Sequence, residues 1–112
     1  MKIFNQKTIG KEEDSCCIKT KIKCLIPRET NAANSDLRLF EMHSTGYSPL
    51  HKHLDVHQIF VLDGKGAVFD GEKMMPIQDN DVIFVEANEL HQIKNTGEKT
   101  LRFICTTLYG KK

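Results

Sequence analysis

The sequence predicts an all-β domain, a sandwich or barrel built from short strands. Three observations carry this. Apolar and polar residues alternate with a period of two along most of the chain, turn signals recur between the alternating runs, and no window of a dozen residues holds a helical period. Short strands joined by turns at this spacing bury one face each by packing sheet on sheet or closing on themselves.

Ile18, Thr20, Ile22 and Cys24 alternate with Lys19, Lys21 and Lys23. This is a half-buried strand whose lysines sit in water and blunt edge-to-edge pairing. Pro27 ends it, and Arg28 to Asp36 reads as a polar loop. Leu37 to His43 is a second strand closed by Ser44-Thr45-Gly46, and Leu50 to Leu54 is a short third. His57 to Leu62 ends at Asp63-Gly64, and Ala67 to Phe69 and Lys73 to Ile77 flank Asp70-Gly71, the clearest hairpin turn. After Gln78-Asp79-Asn80, the runs Asp81 to Val85, Leu90 to Lys94 and Leu101 to Leu108 complete the set.

A chain of 112 residues suits one domain, spanning 1–112. Its 39% apolar and 28% charged residues are the composition of a folded globule rather than a disordered segment. A domain of this size buries only about 65% of its unfolded surface, so pairing with a second copy would help it. A net charge of +1 gives no pull towards nucleic acid or an acidic membrane. Nothing approaches the roughly 18 apolar residues of a membrane span. The start, Met1-Lys2-Ile3-Phe4-Asn5-Gln6, lacks a signal peptide's apolar region, so a cytoplasmic location is expected. There Cys16, Cys17, Cys24 and Cys105 read as reduced, mostly buried thiols without the paired spacing of a zinc knuckle.

The chemistry concentrates in histidine. His51 and His53, one residue apart on a strand, leave the same face. His57 begins the next strand, and His91 begins a distant one that is a plausible sheet neighbour. Imidazole suits zinc, iron, nickel, copper or manganese, and a rigid sheet can aim several rings at one point. His43 reads as a structural or surface residue, and Glu41 and Asp55 as solvated. Phe60, Phe69, Phe84 and Phe103 read as barrel core or dimer contacts.

The run of Gly46, His51-Lys52-His53, His57 and Gly64 resembles the first motif of the cupin family: glycine, His-x-His, a glutamate, then glycine. Glu86, Asn88, His91 and Asn95 resemble the second motif, in which proline, glycine, histidine and asparagine stand at those places. The resemblance runs from Leu37 to Leu108. It implies a cupin double-stranded β-helix, the jelly-roll barrel. It implies one divalent transition-metal ion (zinc, iron, nickel, manganese or copper) held by His51, His53, His57 and His91. It also implies a homodimer and a small organic substrate handled in dioxygenase-, isomerase- or cyclase-like fashion; the alternative is a non-catalytic ligand-binding or sensing module.

Where the pattern has glutamate, this chain has His57. A neutral imidazole in place of an anionic oxygen leaves about two positive charges at the site, which favours borderline metals over manganese or magnesium. Each ligand must also be deprotonated, so binding should fall away below roughly pH 6. Asn88 for glycine is mild, because asparagine tolerates positive φ. A carboxylate hydrogen-bonded to one of the ligand rings is expected, though the sequence does not name it.

Overall fold

Eight antiparallel strands form one curled sheet in the computed structural model, which describes residues 1–10, 12, 16–28 and 34–110. They are β1 (Ile18–Ile26), β2 (Ser35–Tyr47), β3 (Val56–Asp63), β4 (Lys65–Phe69), β5 (Met74–Gln78), β6 (Val82–Val85), β7 (Gln92–Asn95) and β8 (Leu101–Leu108). The order is β5-β4-β7-β2-β8-β3-β6, with β1 also paired to β2. Apart from a 3-10 turn at Gln6–Thr8, the described residues contain no helix. The expected all-β jelly-roll architecture is present.

Register decides what faces inward, because residues opposite one another on paired strands share a face. The β2–β8–β3 pairings set Phe40, Phe103 and Val61 in one row, Arg38, Cys105 and Ile59 in the next, and Asp36, Thr107 and His57 in a third. The barrel thus grades from an apolar floor to a polar rim. On the floor, Phe103, Met42, Leu101 and Val61 are fully buried, and Phe40 stacks on Phe103 with ring centroids 4.8 Å apart. β1 lays Ile22 opposite Phe40 and so buries it, while its lysines alternate to the other side.

Two turns follow from glycine. Gly64, after Asp63, has φ +110°, and Gly71 has φ +101°. At the second, the Asp70 carboxylate accepts hydrogen bonds from the backbone N–H groups of Glu72 and Lys73 at 2.8 and 2.7 Å and closes the β4–β5 hairpin.

Three sequence expectations need correction. β2 does not end at Ser44-Thr45-Gly46; it runs through them to Tyr47, with Thr45 at φ 68° and the pairing with β1 slipping by a bulge. A bulge turns a strand around a barrel corner, where a loop was expected. Leu50 to Leu54 is not a strand: only His51 pairs there, by an isolated bridge to His91, and Pro49 lacks the N–H that would extend the ladder. The polar loop ends sooner than expected, since Ser35 and Asp36 already belong to β2; residues 29–33 lie outside those described.

The outward face of β3 and β6 carries Phe60, Val82 and Phe84, which are 37%, 75% and 57% exposed. β6 is also an edge of the sheet.

Candidate metal centre

The histidines reach the site by different routes. His57 comes in on β3, where its even spacing with Ile59 and Val61 turns it inward. His51 and His91 face each other across their bridge, with reciprocal backbone hydrogen bonds of 3.2 and 3.0 Å. His53 follows on irregular backbone, anchored by its carbonyl accepting from the Asn88 N–H at 2.6 Å. Asn88 holds that turn at φ 64°, the positive φ expected where the family pattern has glycine.

The ligand nitrogens of His51, His53 and His91 lie within 4.8 Å of one another. His57 adjoins this triad: its ring centroid is 4.7 Å from that of His53 and 5.4 Å from that of His91, and its Nε2 is 3.0 Å from His53 Nε2. His91 is buried, His53 and His57 are half-buried, and His51 is exposed at the mouth.

The rings are oriented by main chain and hydroxyl, not by the expected carboxylate. His53 Nδ1 donates to the Asp55 carbonyl at 3.2 Å, and His91 Nδ1 to the Glu89 carbonyl at 2.8 Å. A carbonyl only accepts, so both protons sit on Nδ1 and both Nε2 atoms carry a lone pair, that of His53 facing His57 Nε2. His57 Nδ1 meets the Thr107 hydroxyl at 3.1 Å and the Cys105 thiol at 3.5 Å.

Burial holds the His51, His57 and His91 rings below the ordinary histidine range. Desolvation, followed by repulsion between His57 and the neighbouring His53 and His91 when they carry charge, lowers the His57 pKa to about 4. Desolvation likewise leads the lowering at His51 and His91. Neutral imidazoles with inward lone pairs are the donor set a borderline divalent ion takes. The 3.0 Å between His53 Nε2 and His57 Nε2 also suits two adjacent ligands, which at a bond length of about 2.1 Å and a right angle stand roughly 3.0 Å apart. The residues fit such an ion.

Beside the cluster opens a cavity of about 520 Å³. Met42, Phe40 and Phe103 form its floor, and Ile59, Cys105 and Ile93 its lower walls. Asp55, read from sequence as solvated, is half-buried on this wall, where its carboxylate accepts the Gly110 N–H at 2.9 Å. His43 lies exposed away from the cavity, 3.3 Å from Thr100, in keeping with a surface role. Asn95 is structural: its amide donates to the Met42 and Lys99 carbonyls at 2.8 and 2.9 Å and accepts from Gly97 N–H. Arg38, Thr107 and Tyr109 also line the cavity, and sequence alone did not single them out.

The pattern of the cupin domain family matches residues 38–107. The chain belongs to the cupin family. This cupin is 27% identical over 75 residues to 1-methylthio-D-xylulose 5-phosphate methylsulfurylase of Rhodospirillum rubrum, over 67% of this chain and 48% of that protein. It is 38% identical over 60 residues to an oxalate-binding protein of Thermotoga maritima, over 53% of this chain and 50% of that protein. The chain spans about half the length of the curated relatives it matches. Among solved structures it is similar to the polyketide cyclase RemF of Streptomyces resistomycificus, with a TM-score of 0.83 and 25% identity, covering 96% of this chain and 78% of that one.

Proposed function

We propose that His51, His53, His57 and His91 together hold one divalent transition-metal ion, and that the cavity beside them takes a small organic ligand. The observation that carries this is the convergence of three ligand nitrogens within 4.8 Å, with His57 Nε2 3.0 Å from the nearest of them. When bound, the ion would supply Lewis-acid polarisation of an oxygen-bearing group or redox activation of dioxygen. The chain's own residues do the rest. Phe40, Phe103 and Ile59 exclude water from the floor, while the Asp55 and Glu89 carbonyls and Thr107 hold the rings in one orientation.

The polyketide cyclase supports a catalytic reading, in which the ligand is transformed in isomerase-, cyclase- or dioxygenase-like fashion. The oxalate-binding relative supports a second reading, in which the ligand is held without turnover. Iron-, nickel- and zinc-loaded protein, screened with oxygen and small diketones, phenols or sugars, separates the two. Product or oxygen uptake supports catalysis; ligand-dependent melting shifts without turnover support binding. The metal itself is tested by elemental analysis. About one transition metal per chain is expected, lost in the His51→Ala/His53→Ala variant, and full occupancy in that variant overturns the site.

The apolar patch of Phe60, Val82 and Phe84 on a sheet edge supports a homodimer formed through this outer face. No helix among the described residues is long and apolar enough to cross a membrane.

A further inference from the structure

Arg38 is the only lysine or arginine among the described residues that line the cavity. It rises from β2, two strands from His57, in the row below Asp36 and Thr107. Its Nη2 lies 3.1 Å from Asp36 Oδ2 and 3.4 Å from the Tyr109 hydroxyl. Tyr109 donates its own proton to that same Asp36 oxygen. These contacts draw the guanidinium up to the polar rim, the level at which Thr107 touches His57.

The partners differ in exposure. The Asp36 side chain is 1% exposed, whereas 30% of the Arg38 side chain is open. Burial and the hydrogen bond to Asp36 push the Tyr109 pKa up to about 12, so the phenol stays a donor. An ion pair that served only to tie β2 to the end of β8 would work as well with its guanidinium turned away from the cavity. Here the Arg38 side chain lines the same cavity as the four histidines.

We propose that Arg38 is the specificity-determining residue of the cavity, receiving the oxyanion, carboxylate or phosphate, of a ligand whose other end reaches the histidine cluster. The second half of that statement rests on the metal reading above; the first rests on Arg38 alone. A guanidinium is a planar fork that matches an oxyanion with two parallel hydrogen bonds. Four neutral imidazoles leave a divalent ion's charge unbalanced, which also favours an anionic ligand. The backbones of β2 and β3 stand about 10 Å apart across β8, and inward side chains shorten that gap to the length of a few bonded atoms. Asp36 and Tyr109 are positioning residues, fixing the fork before the ligand arrives.

The test titrates zinc-loaded protein by calorimetry with three probes that share a 2-oxo-acid chelating end. They are 2-oxoglutarate, its phosphonate counterpart 2-oxo-4-phosphonobutanoate, and uncharged-tailed 2-oxopentanoate. Wild type should bind at least one of the charged-tail probes tenfold or more tighter than 2-oxopentanoate, and which of the two wins separates carboxylate from phosphate. Arg38→Met should erase that preference, weakening the charged-tail probes tenfold or more relative to 2-oxopentanoate, and Arg38→Lys should retain part of it. If Arg38→Met leaves Asp36 charged and unfolds the chain, Asp36→Asn/Arg38→Met removes both charges together. An unchanged preference in the folded Met variant, or none in wild type, overturns the assignment and leaves the metal reading standing. If wild type holds no zinc, the metal reading falls instead. Arg38 is then judged on metal-free protein, where an Arg38-dependent advantage of the charged tails upholds it and the lack of one overturns it.

Discussion

His57 Nε2 sits 3.0 Å from His53 Nε2, and the opposite nitrogen of each ring is already engaged, by Thr107 and by the Asp55 carbonyl. Without an ion one proton must lie between the two nitrogens; with an ion, two lone pairs must. In the proposed site a metal ion would therefore replace a hydrogen bond between the two rings rather than fill an open gap.

From this follows a stability prediction. Zinc at one hundred times its dissociation constant should stabilise the protein by about 2.7 kcal/mol. For a domain of this size that raises the melting temperature by about 10 °C or more. Differential scanning calorimetry with and without a chelator measures it, and a zinc-insensitive transition would contradict it.

Exchanging His57 for the carboxylate of the family pattern should change metal preference. His57→Glu supplies an anionic oxygen, so competition titrations should show the manganese-to-zinc affinity ratio rising at least tenfold over wild type. An unchanged ratio would mean that His57 is not a ligand.

The pH dependence of the metal-free protein has a definite sign. The His57 pKa falls from 6.5 to about 4 on folding, through burial and the neighbouring His53 and His91. Between those values the unfolded chain binds more protons than the folded one, so stability rises with pH. It is fully present above about pH 6.5 and is lost as pH falls towards about 4, with His51 and His91 shifted the same way. Urea midpoints at neutral and mildly acidic pH should show the decline, and His57→Phe should flatten it.

Thiol reactivity should separate by position. Burial pushes the Cys105 pKa up to about 11, whereas Cys16 is exposed. Iodoacetamide near pH 8 should label Cys16 in the native protein and spare Cys105 until the chain is unfolded, as read by mass spectrometry. Equal labelling of the two in the native state would contradict the buried placement.

The outer patch gives an assembly prediction. Sedimentation at micromolar concentration should find a dimer, and Phe84→Glu with Val82→Lys should shift it towards the 12.8 kDa monomer. A wild-type monomer would overturn the dimer.

How far the sequence could be read depended on which signal each residue carried. The alternation of Ile18 to Cys24 located β1, because a period of two is a property of side chains. The approach of His51 to His91 was implied by motif order, yet the strand expected around His51 is one bridge in irregular backbone. Two histidines spaced to share a strand face can also be brought together by a bend. Asp36 was missed because it follows a polar run and reads as loop, although it is the buried partner of Arg38 and Tyr109. The groups orienting His53 and His91 were invisible for a simpler reason: every residue has a carbonyl.

Those carbonyls bear on how the site can change. The rings of His53 and His91 hang from the peptide backbone of Asp55 and Glu89, so substituting either side chain leaves the anchor atom in place. The cavity wall can then vary residue by residue while these two rings stay aimed. A barrel wired in this way separates the part that chooses the ligand from the part that positions the histidines, and the first is free to drift without dismantling the second.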